Sequence, residues 1–284
     1  MSSTDAAPGE RARFFGFVIA AGLVALFFLM PLVWSLANSF KPAADALANP
    51  AALFSRAFSL ENYRRLEGVG AGWTSYATNS VLLALGTVVI TVLVSVPAGY
   101  GFSKFRFPGQ TALFVAIMAT MMIPFQSILT PLFLIMKLLR LQNSLFGLVL
   151  IYVTFQLPFS IFMMRNAFDA VPRALIEAAR IDGASQWTIL RRIMLPIALP
   201  GVATVAMFAF LNSWNEFLAA LIFLSDQNKF TLPIMLVNVS SGIYGIIDWG
   251  ALQAGITVSM APCIALFLLL QRYYVRGLTA GAVK

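Results

Sequence analysis

Six long stretches of apolar residues restrict the fold of this chain more than any other feature. They lie at about 14–36, 76–102, 111–136, 144–164, 199–224 and 251–271. A helix that crosses a bilayer needs roughly 20 mostly apolar residues, and only helices and closed barrels satisfy their backbone hydrogen bonds in lipid. Of the 284 residues, 60% are hydrophobic and 11% are charged, whereas soluble domains carry about 25% charged residues. The sequence therefore predicts an all-α membrane protein with about six transmembrane helices.

The charges that flank these stretches predict the orientation. Residues 1–13 are polar, small and basic, which predicts a disordered N-terminus before a transmembrane domain over 14–272 and a tail over 273–284. Cytoplasmic loops carry an excess of Lys and Arg. With the N-terminus inside, twelve of the nineteen Lys and Arg residues lie on the inner side. We therefore expect both termini and the loop 166–198 to be cytoplasmic. The same bias accounts for the net charge of +8, so no nucleic-acid partner is needed to explain it.

Several kinds of chemistry are excluded by composition. The chain has no histidine and one cysteine, Cys263, so Ser-His and Cys-His nucleophilic systems, His-containing metal sites and an intrachain disulfide are excluded. No phosphate-binding G-x-x-x-x-G-K-[ST] loop occurs either. We expect a non-catalytic chain with no metal site, and any ATP that it uses must be hydrolysed by another subunit.

The loop before the fifth stretch has the pattern of two short helices joined by a sharp turn. Pro172 suits the first position of the first helix, and Gly183 can adopt the left-handed conformation that ends it. Ser185 can cap the second helix, and Pro196 is expected to end it. The apolar side of the second helix is formed by Ile189, Leu190, Ile193 and Met194.

The first helix of this loop has a small apolar stripe of Ala174, Ala178 and Ile181. Arg173 and Arg180 lie four and three residues from Glu177, so surface ion pairs with that carboxylate are expected. The pattern leaves two interpretations open. The loop is either an amphipathic hairpin at the membrane surface or a rigid knob, small at Ala178 and Ala179, that docks into a groove on a partner.

Seven residues of the loop resemble, in type and spacing, the EAA loop of ATP-binding-cassette (ABC) importer permeases. These residues are Glu177, Ala178, Ala179, Gly183, Ile193, Leu195 and Pro196. The place of the loop between the fourth and fifth of six spans is similar as well. The resemblance implies a type I ABC importer (MetI-like) fold, in which the loop is the coupling helix. In that family the coupling helix sits in a cleft of the ATPase subunit and carries the closure of the ATPases to the membrane helices.

Three further segments resemble the MalG-like (maltose/trehalose-type) carbohydrate permeases of the binding-protein-dependent MalFG family. They are residues 97–109, 213–217 and 271–284. In that family the tail reaches between the two ATPase subunits, although such tails often finish with one more glycine, which is absent here. The tail residues that this resemblance places against the ATPases are Gly277, Leu278, Thr279, Ala280 and Gly281.

The resemblance implies a permease subunit in the bacterial plasma (inner) membrane that translocates a di- or oligosaccharide. The implied partners are a second, MalF-like permease, two ATPase subunits and an extracytoplasmic sugar-binding protein. ATP and Mg²⁺ would bind at the ATPases, and this chain would hold no cofactor. Three alternatives stay open: an ABC permease for a non-sugar solute, an ion-gradient-driven secondary transporter, and a membrane scaffold that docks a cytoplasmic partner.

Polar residues inside the predicted spans give candidates for a translocation path. Asn212, Asn215 and Glu216 share a face at i, i+3 and i+4, and Glu216 is the only carboxylate within a predicted span. A carboxylate is costly in lipid, so this face should meet protein or water. This face either hydrogen-bonds sugar hydroxyls, or it forms a structural pair with the partner subunit or a helix end. The amides of Gln126, Gln156 and Gln253 are expected to bond between helices rather than to substrate.

Overall fold

The computed structural model describes residues 8–42, 44–45, 57–242 and 246–282, and the side chains of residues 13–271 within those ranges. The first six helices are α1 (Pro8–Ser39), α2 (Glu61–Glu67), α3 (Trp73–Lys104), α4 (Gln110–Ala119), α5 (Leu129–Leu138) and α6 (Leu145–Asp169). The next six are α7 (Arg173–Ile181), α8 (Gln186–Ile197), α9 (Leu199–Asn215), α10 (Leu218–Phe223), α11 (Leu232–Ser241) and α12 (Trp249–Ala282).

Among the residues that the structure describes, four helical segments are long and apolar enough to cross a membrane. They are Arg13–Ser39, Trp73–Lys104, Leu145–Asp169 and Trp249–Gln271. Two bent pairs of helices bring the number to six if each pair counts as one span. The expectation of an all-α protein with about six transmembrane helices is therefore confirmed.

The third apolar stretch is bent rather than straight. Its two halves, Gln110–Met122 and Phe125–Leu138, meet at 97°. Pro124 lies between them in extended conformation, with ψ 130°. Proline has no N–H to donate to a helix and restricts the residue before it to extended conformations, so it favours a break here.

The fifth apolar stretch is interrupted near its far end. We predicted a single span over 199–224, but α9 ends at Asn215 and α10 begins at Leu218. The backbone at Glu216 is extended, with ψ 127°. Apolar composition cannot reveal such a break, because the residues on both sides of it are equally apolar.

The N-terminal end of the chain also differs from expectation. Helix α1 begins at Pro8, so the prediction that residues 8–13 are disordered is wrong, and residues 1–7 lie outside the described part. Every side chain from residue 13 to residue 33 is exposed, which is typical of a helix that meets lipid or another chain. At the other end, the backbone of the predicted tail is helical as far as Ala282.

Contacts divide the chain into two units. The first comprises residues 1–69 and 238–258, and the second comprises 70–237 and 259–284. Within the first unit, the buried Asn62 amide donates to the carbonyl oxygens of Ser39 (3.0 Å) and Lys41 (2.8 Å). Arg65 and Asp248 form an ion pair there.

The second unit is built on the close packing of α3, α6 and α9. A Cβ atom at Gly99 of α3 would lie 2.5 Å from Met164 Cβ on α6, and one at Gly201 of α9 would lie 2.6 Å from Ala167 Cβ. Small residues let membrane helices approach this closely. Two buried apolar clusters fill the unit, and both candidate sites described below are built on these three helices.

Candidate functional site

The loop between α6 and α9 folds as two short helices around Gly183. This glycine has φ +77°, in the left-handed region, and its N–H donates to Arg180 O at 3.0 Å. The Ser185 side chain caps the next helix by accepting the Thr188 N–H at 3.2 Å. The predicted turn and cap are therefore confirmed, and we call residues Arg173–Pro196 the helix–turn–helix segment.

The outer limits of this segment differ from the prediction by one or two residues. Pro172 lies just before α7 rather than at its first position. Pro196 lies within α8, which ends at Ile197, and α8 and α9 then meet at 77°. The expectation that Pro196 ends the helix is wrong. A π-helical turn, Leu190–Met194, ends two residues before Pro196, so the missing proline N–H falls next to a turn where ordinary α-helical bonding is already interrupted.

The inner face of the segment is fixed to the ends of α3 and α6. It contributes Ile176, Ala179, Ile189, Leu190 and Met194 to an apolar cluster with Val96, Tyr100, Met164 and Phe168. One polar contact adds to this packing, since the Tyr100 hydroxyl donates to Gln186 Oε1 at 3.0 Å. Just before the segment, Lys104 Nζ donates to Val171 O at 3.1 Å. The segment is therefore packed against the ends of both long helices.

The outer face of the segment is exposed and partly apolar. Ile181 is 86% exposed and Trp187 is 66% exposed, beside the exposed Ala178 and Gly183. Ala179 is buried in its own chain, so the expectation that both alanines meet a partner is wrong for this one. Exposed apolar clusters mark interaction surfaces. The prediction from sequence did not include Trp187 in this surface, although this residue lies off the apolar side assigned to its helix.

The remaining motif residues divide between these two faces. Ile193 and Leu195 are half-buried, and Glu177 and Pro196 are exposed. Within the described part of the chain the ion pairs are Arg65–Asp248, Arg165–Asp169 and Lys229–Asp226. The expected pairs of Glu177 with Arg173 and Arg180 are not among them. Arg173, Glu177 and Arg180 instead line a polar cleft together with residues at the end of α3.

A second candidate site is a cavity of about 170 Å³ between α3, α6 and α9. Its lining is mostly apolar with a few polar groups, as in many small-molecule sites. The lining residues are Thr87, Phe125, Tyr152, Phe155, Gln156, Ala209, Asn212, Ser213 and Glu216.

Glu216 explains the break in the fifth stretch. Its carboxylate accepts the Tyr152 hydroxyl at 2.7 Å and the backbone N–H groups of Ala219 (2.8 Å) and Ala220 (3.1 Å). A carboxylate at a helix N-terminus satisfies N–H groups that have no partner within the helix. Glu216 therefore ends α9 and caps α10, as the helix-end interpretation expected. The sequence did not identify Tyr152 as a partner of Glu216, because its hydroxyl lies in an otherwise apolar stretch.

The three polar residues predicted to share one face are only partly brought together. The Asn212 amide donates to Gln156 Oε1 at 2.8 Å, and both residues line the cavity with Glu216. Asn215 instead donates to Leu211 O on its own helix and does not line the cavity. Gln156 does bond between helices as expected, but it also forms part of the cavity wall.

The tail residues predicted to contact the ATPases are Gly277, Leu278, Thr279, Ala280 and Gly281. The backbone of residues 277–281 continues helix α12. Their side chains lie outside the described residues.

Comparison with known proteins identifies the family. Residues 92–280 match the family described as the binding-protein-dependent transport system inner membrane component. This region includes the whole helix–turn–helix segment and the cavity-lining helices α6 and α9. The chain belongs to this family. It is a permease of the ABC transporter class, as the EAA-like spacing indicated.

Two relatives of this permease show its subfamily. It is 34% identical over 262 residues to the diacetylchitobiose uptake system permease NgcG of Streptomyces coelicolor, covering 90% of this chain and 84% of the relative. It is 34% identical over 268 residues to the trehalose/maltose transport system permease MalG of Thermococcus litoralis, covering 94% and 95%. The expected resemblance to MalG-like carbohydrate permeases is confirmed.

A solved structure shares the fold of the permease. A chain of a bacterial ABC transporter that imports the acidic polysaccharide alginate aligns with a TM-score of 0.80 and 24% identity. The alignment covers 96% of this permease and 100% of that chain. The expected type I importer fold is therefore confirmed.

Proposed function

We propose that this permease carries a di- or oligosaccharide across the bacterial plasma membrane, and that ATPase subunits drive it through the helix–turn–helix segment. The observation that carries the proposal is the two-sided construction of that segment. Its inner face is packed against α3 and α6, and its outer face presents Ile181 and Trp187. A segment built in this way can transmit a partner's movement to the membrane helices.

The same construction supports an ATPase partner, and the family supports the other partners. The exposed face of α7 and α8 fits a groove on an ATPase subunit, where ATP and Mg²⁺ would bind. A second, MalF-like permease would complete the membrane part, and the two ATPases would contact the two permeases. An extracytoplasmic binding protein would deliver the sugar. We infer that the segment and both chain termini lie on the cytoplasmic side, in line with the Lys and Arg bias.

The substrate class is supported by the relatives, whose names specify diacetylchitobiose and trehalose/maltose. We propose that the cavity between α3, α6 and α9 forms part of the translocation path. Asn212 is exposed at the cavity, where an amide can bond sugar hydroxyls. Both oxygens of Glu216 are already occupied by protein donors, so we assign this residue mainly to shaping the path. Asn215 is the weakest candidate.

Energy coupling requires that ATP binding stabilise one of two permease states more than the other. Closure of the ATPases would pull the helix–turn–helix segment, and its packing against α3 and α6 would convert that pull into movement of the cavity walls. The permease would then alternate between outward-open and inward-open states.

Reconstitution tests the proposal. The permease is co-expressed with its second permease and ATPase subunits, and sugar-stimulated ATP hydrolysis and uptake are measured with the binding protein and a panel of sugars, phosphate and amino acids. We expect stimulation by di- or oligosaccharides. Stimulation by a non-sugar solute alone would favour the other ABC permease class. Asn212→Ala should reduce sugar uptake more than Asn215→Ala, and equal effects would contradict the proposed path.

A further inference from the structure

A basic cleft lies between the end of α3 and one side of α7. It has a volume of about 190 Å³, enough for a phosphate group with several waters. Its polar lining residues are Ser103, Lys104, Arg106, Arg173, Glu177 and Arg180. Four cationic side chains therefore face one carboxylate.

The positive charge of the cleft is only partly offset within the described part of the chain. None of the ion pairs found there includes a cleft residue. A further carboxylate, Asp169, acts on Lys104 through its charge, but it also accepts from Ser103 Oγ at 2.6 Å and pairs with Arg165 at 3.6 Å. Like charges held together in a partly enclosed space favour an anionic ligand.

The residues around the cleft favour a lipid as the source of this anion. Lys104 ends the membrane-spanning segment Trp73–Lys104 and Arg106 lies just beyond it, and the two alternate with Phe105 and Phe107. Each of these two phenylalanines is 40% exposed. Basic residues interleaved with aromatic residues at the end of a span are typical of the headgroup region, and basic pockets at this depth bind anionic headgroups.

The cleft is distinct from the exposed apolar face proposed to meet the ATPase. On α7, Arg173, Glu177 and Arg180 recur at i, i+4 and i+7 and line the cleft. From the mean direction of these three residues, Ile181 is displaced by about 70° and Ala178 by about 130°, at roughly 100° per residue. A partner docked on the apolar face would therefore lie beside the cleft and not over it.

We propose that this cleft binds the phosphate headgroup of an anionic phospholipid of the inner leaflet. The inference depends on the cytoplasmic position proposed above for the helix–turn–helix segment. A headgroup there would bridge α3 and α7 and thereby fix the segment to the second span.

Lipid retention by the purified full-length permease tests this proposal without ATPases or sugar, so its result is separate from that of the transport assay. Native mass spectrometry and thermal unfolding are measured in detergent with added phosphatidylglycerol, phosphatidylcholine or inorganic phosphate. The cleft variant is Arg106→Gln/Arg173→Gln. The matched control is Arg191→Gln/Arg192→Gln, which removes two exposed arginines of the same segment outside the cleft.

We expect phosphatidylglycerol, but not phosphatidylcholine, to remain bound to the wild type and to the control. The cleft variant should bind it about 25-fold more weakly, at about fivefold for each removed charge. Glu177→Gln should strengthen binding, which keeps the test informative if the double variant is poorly folded. Equal retention by cleft and control variants would overturn the proposal. Inorganic phosphate that stabilises the wild type as well as the lipid does would overturn the lipid assignment.

Discussion

The Tyr100 hydroxyl of α3 donates a hydrogen bond to Gln186 Oε1 of α8 at 3.0 Å. The same tyrosine ring packs edge-on against Phe105 and Phe168. One side chain thus joins the second span, the fourth span and the second helix of the helix–turn–helix segment. This contact is a direct physical route from the proposed ATPase-docking surface to the membrane helices.

Removing the hydroxyl should weaken this connection while the ring packing is retained. We expect Tyr100→Phe to destabilise the permease by about 0.5–1.5 kcal/mol, the usual net contribution of one hydrogen bond. A double-mutant cycle with Gln186→Ala isolates the pair, with thermal unfolding of the purified permease as the measurement. Effects of the two substitutions that add without any interaction energy would show that the bond does not join the two helices.

Gly99 should be indispensable to the contact between α3 and α6. An alanine Cβ there would lie 2.5 Å from Met164 Cβ and 2.8 Å from Arg165 N, so Gly99→Ala should cost about 1–3 kcal/mol by overpacking. Gly101 of the same helix has nothing within 4 Å of its Cβ position. Gly101→Ala is therefore a matched control that should be neutral or stabilising by up to about 1 kcal/mol. Equal unfolding temperatures for the two variants would contradict the close packing.

The break between α9 and α10 should depend on the charge of Glu216. Glutamine cannot accept three donors in this position, because in either orientation its amide nitrogen would face a backbone N–H. We expect Glu216→Gln to destabilise the permease by about 1–3 kcal/mol. Asn215→Ala, which loses only a bond to its own helix, should change the free energy of unfolding by less than about 0.5 kcal/mol. Similar losses for both variants would argue against the capping role.

The exposed face of the helix–turn–helix segment should be needed for assembly and not for folding. Ile181→Ser and Trp187→Ala should leave the unfolding temperature of the isolated permease nearly unchanged, because neither side chain is packed in the core. Both should reduce co-purification of the ATPase subunits at least tenfold. Ile246→Ser is the control, since Ile246 is likewise largely exposed, at 74%, but lies outside the segment. Normal co-purification of the Ile181 and Trp187 variants would place the docking surface elsewhere.

The sequence predicted the features that follow from local chemistry. Apolar length located the spans, and the left-handed turn at Gly183 and the Ser185 cap follow from residue types that few other positions tolerate. It could not predict which alanine is buried. Ala178 and Ala179 are equivalent in composition, and the packing of α7 on α3 and α6 decides that Ala179 faces inward.

The candidate path was predicted less completely because it depends on contacts between distant helices. Glu216 was identified as unusual, but its partner Tyr152 lies 64 positions away and has no distinctive neighbours. Asn215 was grouped with Asn212 by helical periodicity, yet α9 ends at that residue, so the periodicity no longer governs its surroundings. The bend at Pro124 and the break at Glu216 both lie in continuous apolar stretches.

Gly183→Pro in the assembled importer tests the central claim most directly. Proline fixes φ near −65° and has no N–H, so it cannot adopt φ +77° or donate to Arg180 O as Gly183 does. Gly183→Asn is the control, because asparagine tolerates the left-handed conformation. We predict that the proline variant inserts into the membrane but loses both sugar uptake and sugar-stimulated ATP hydrolysis, whereas the asparagine variant retains them. Wild-type uptake and stimulated hydrolysis in Gly183→Pro would contradict the coupling role of the segment.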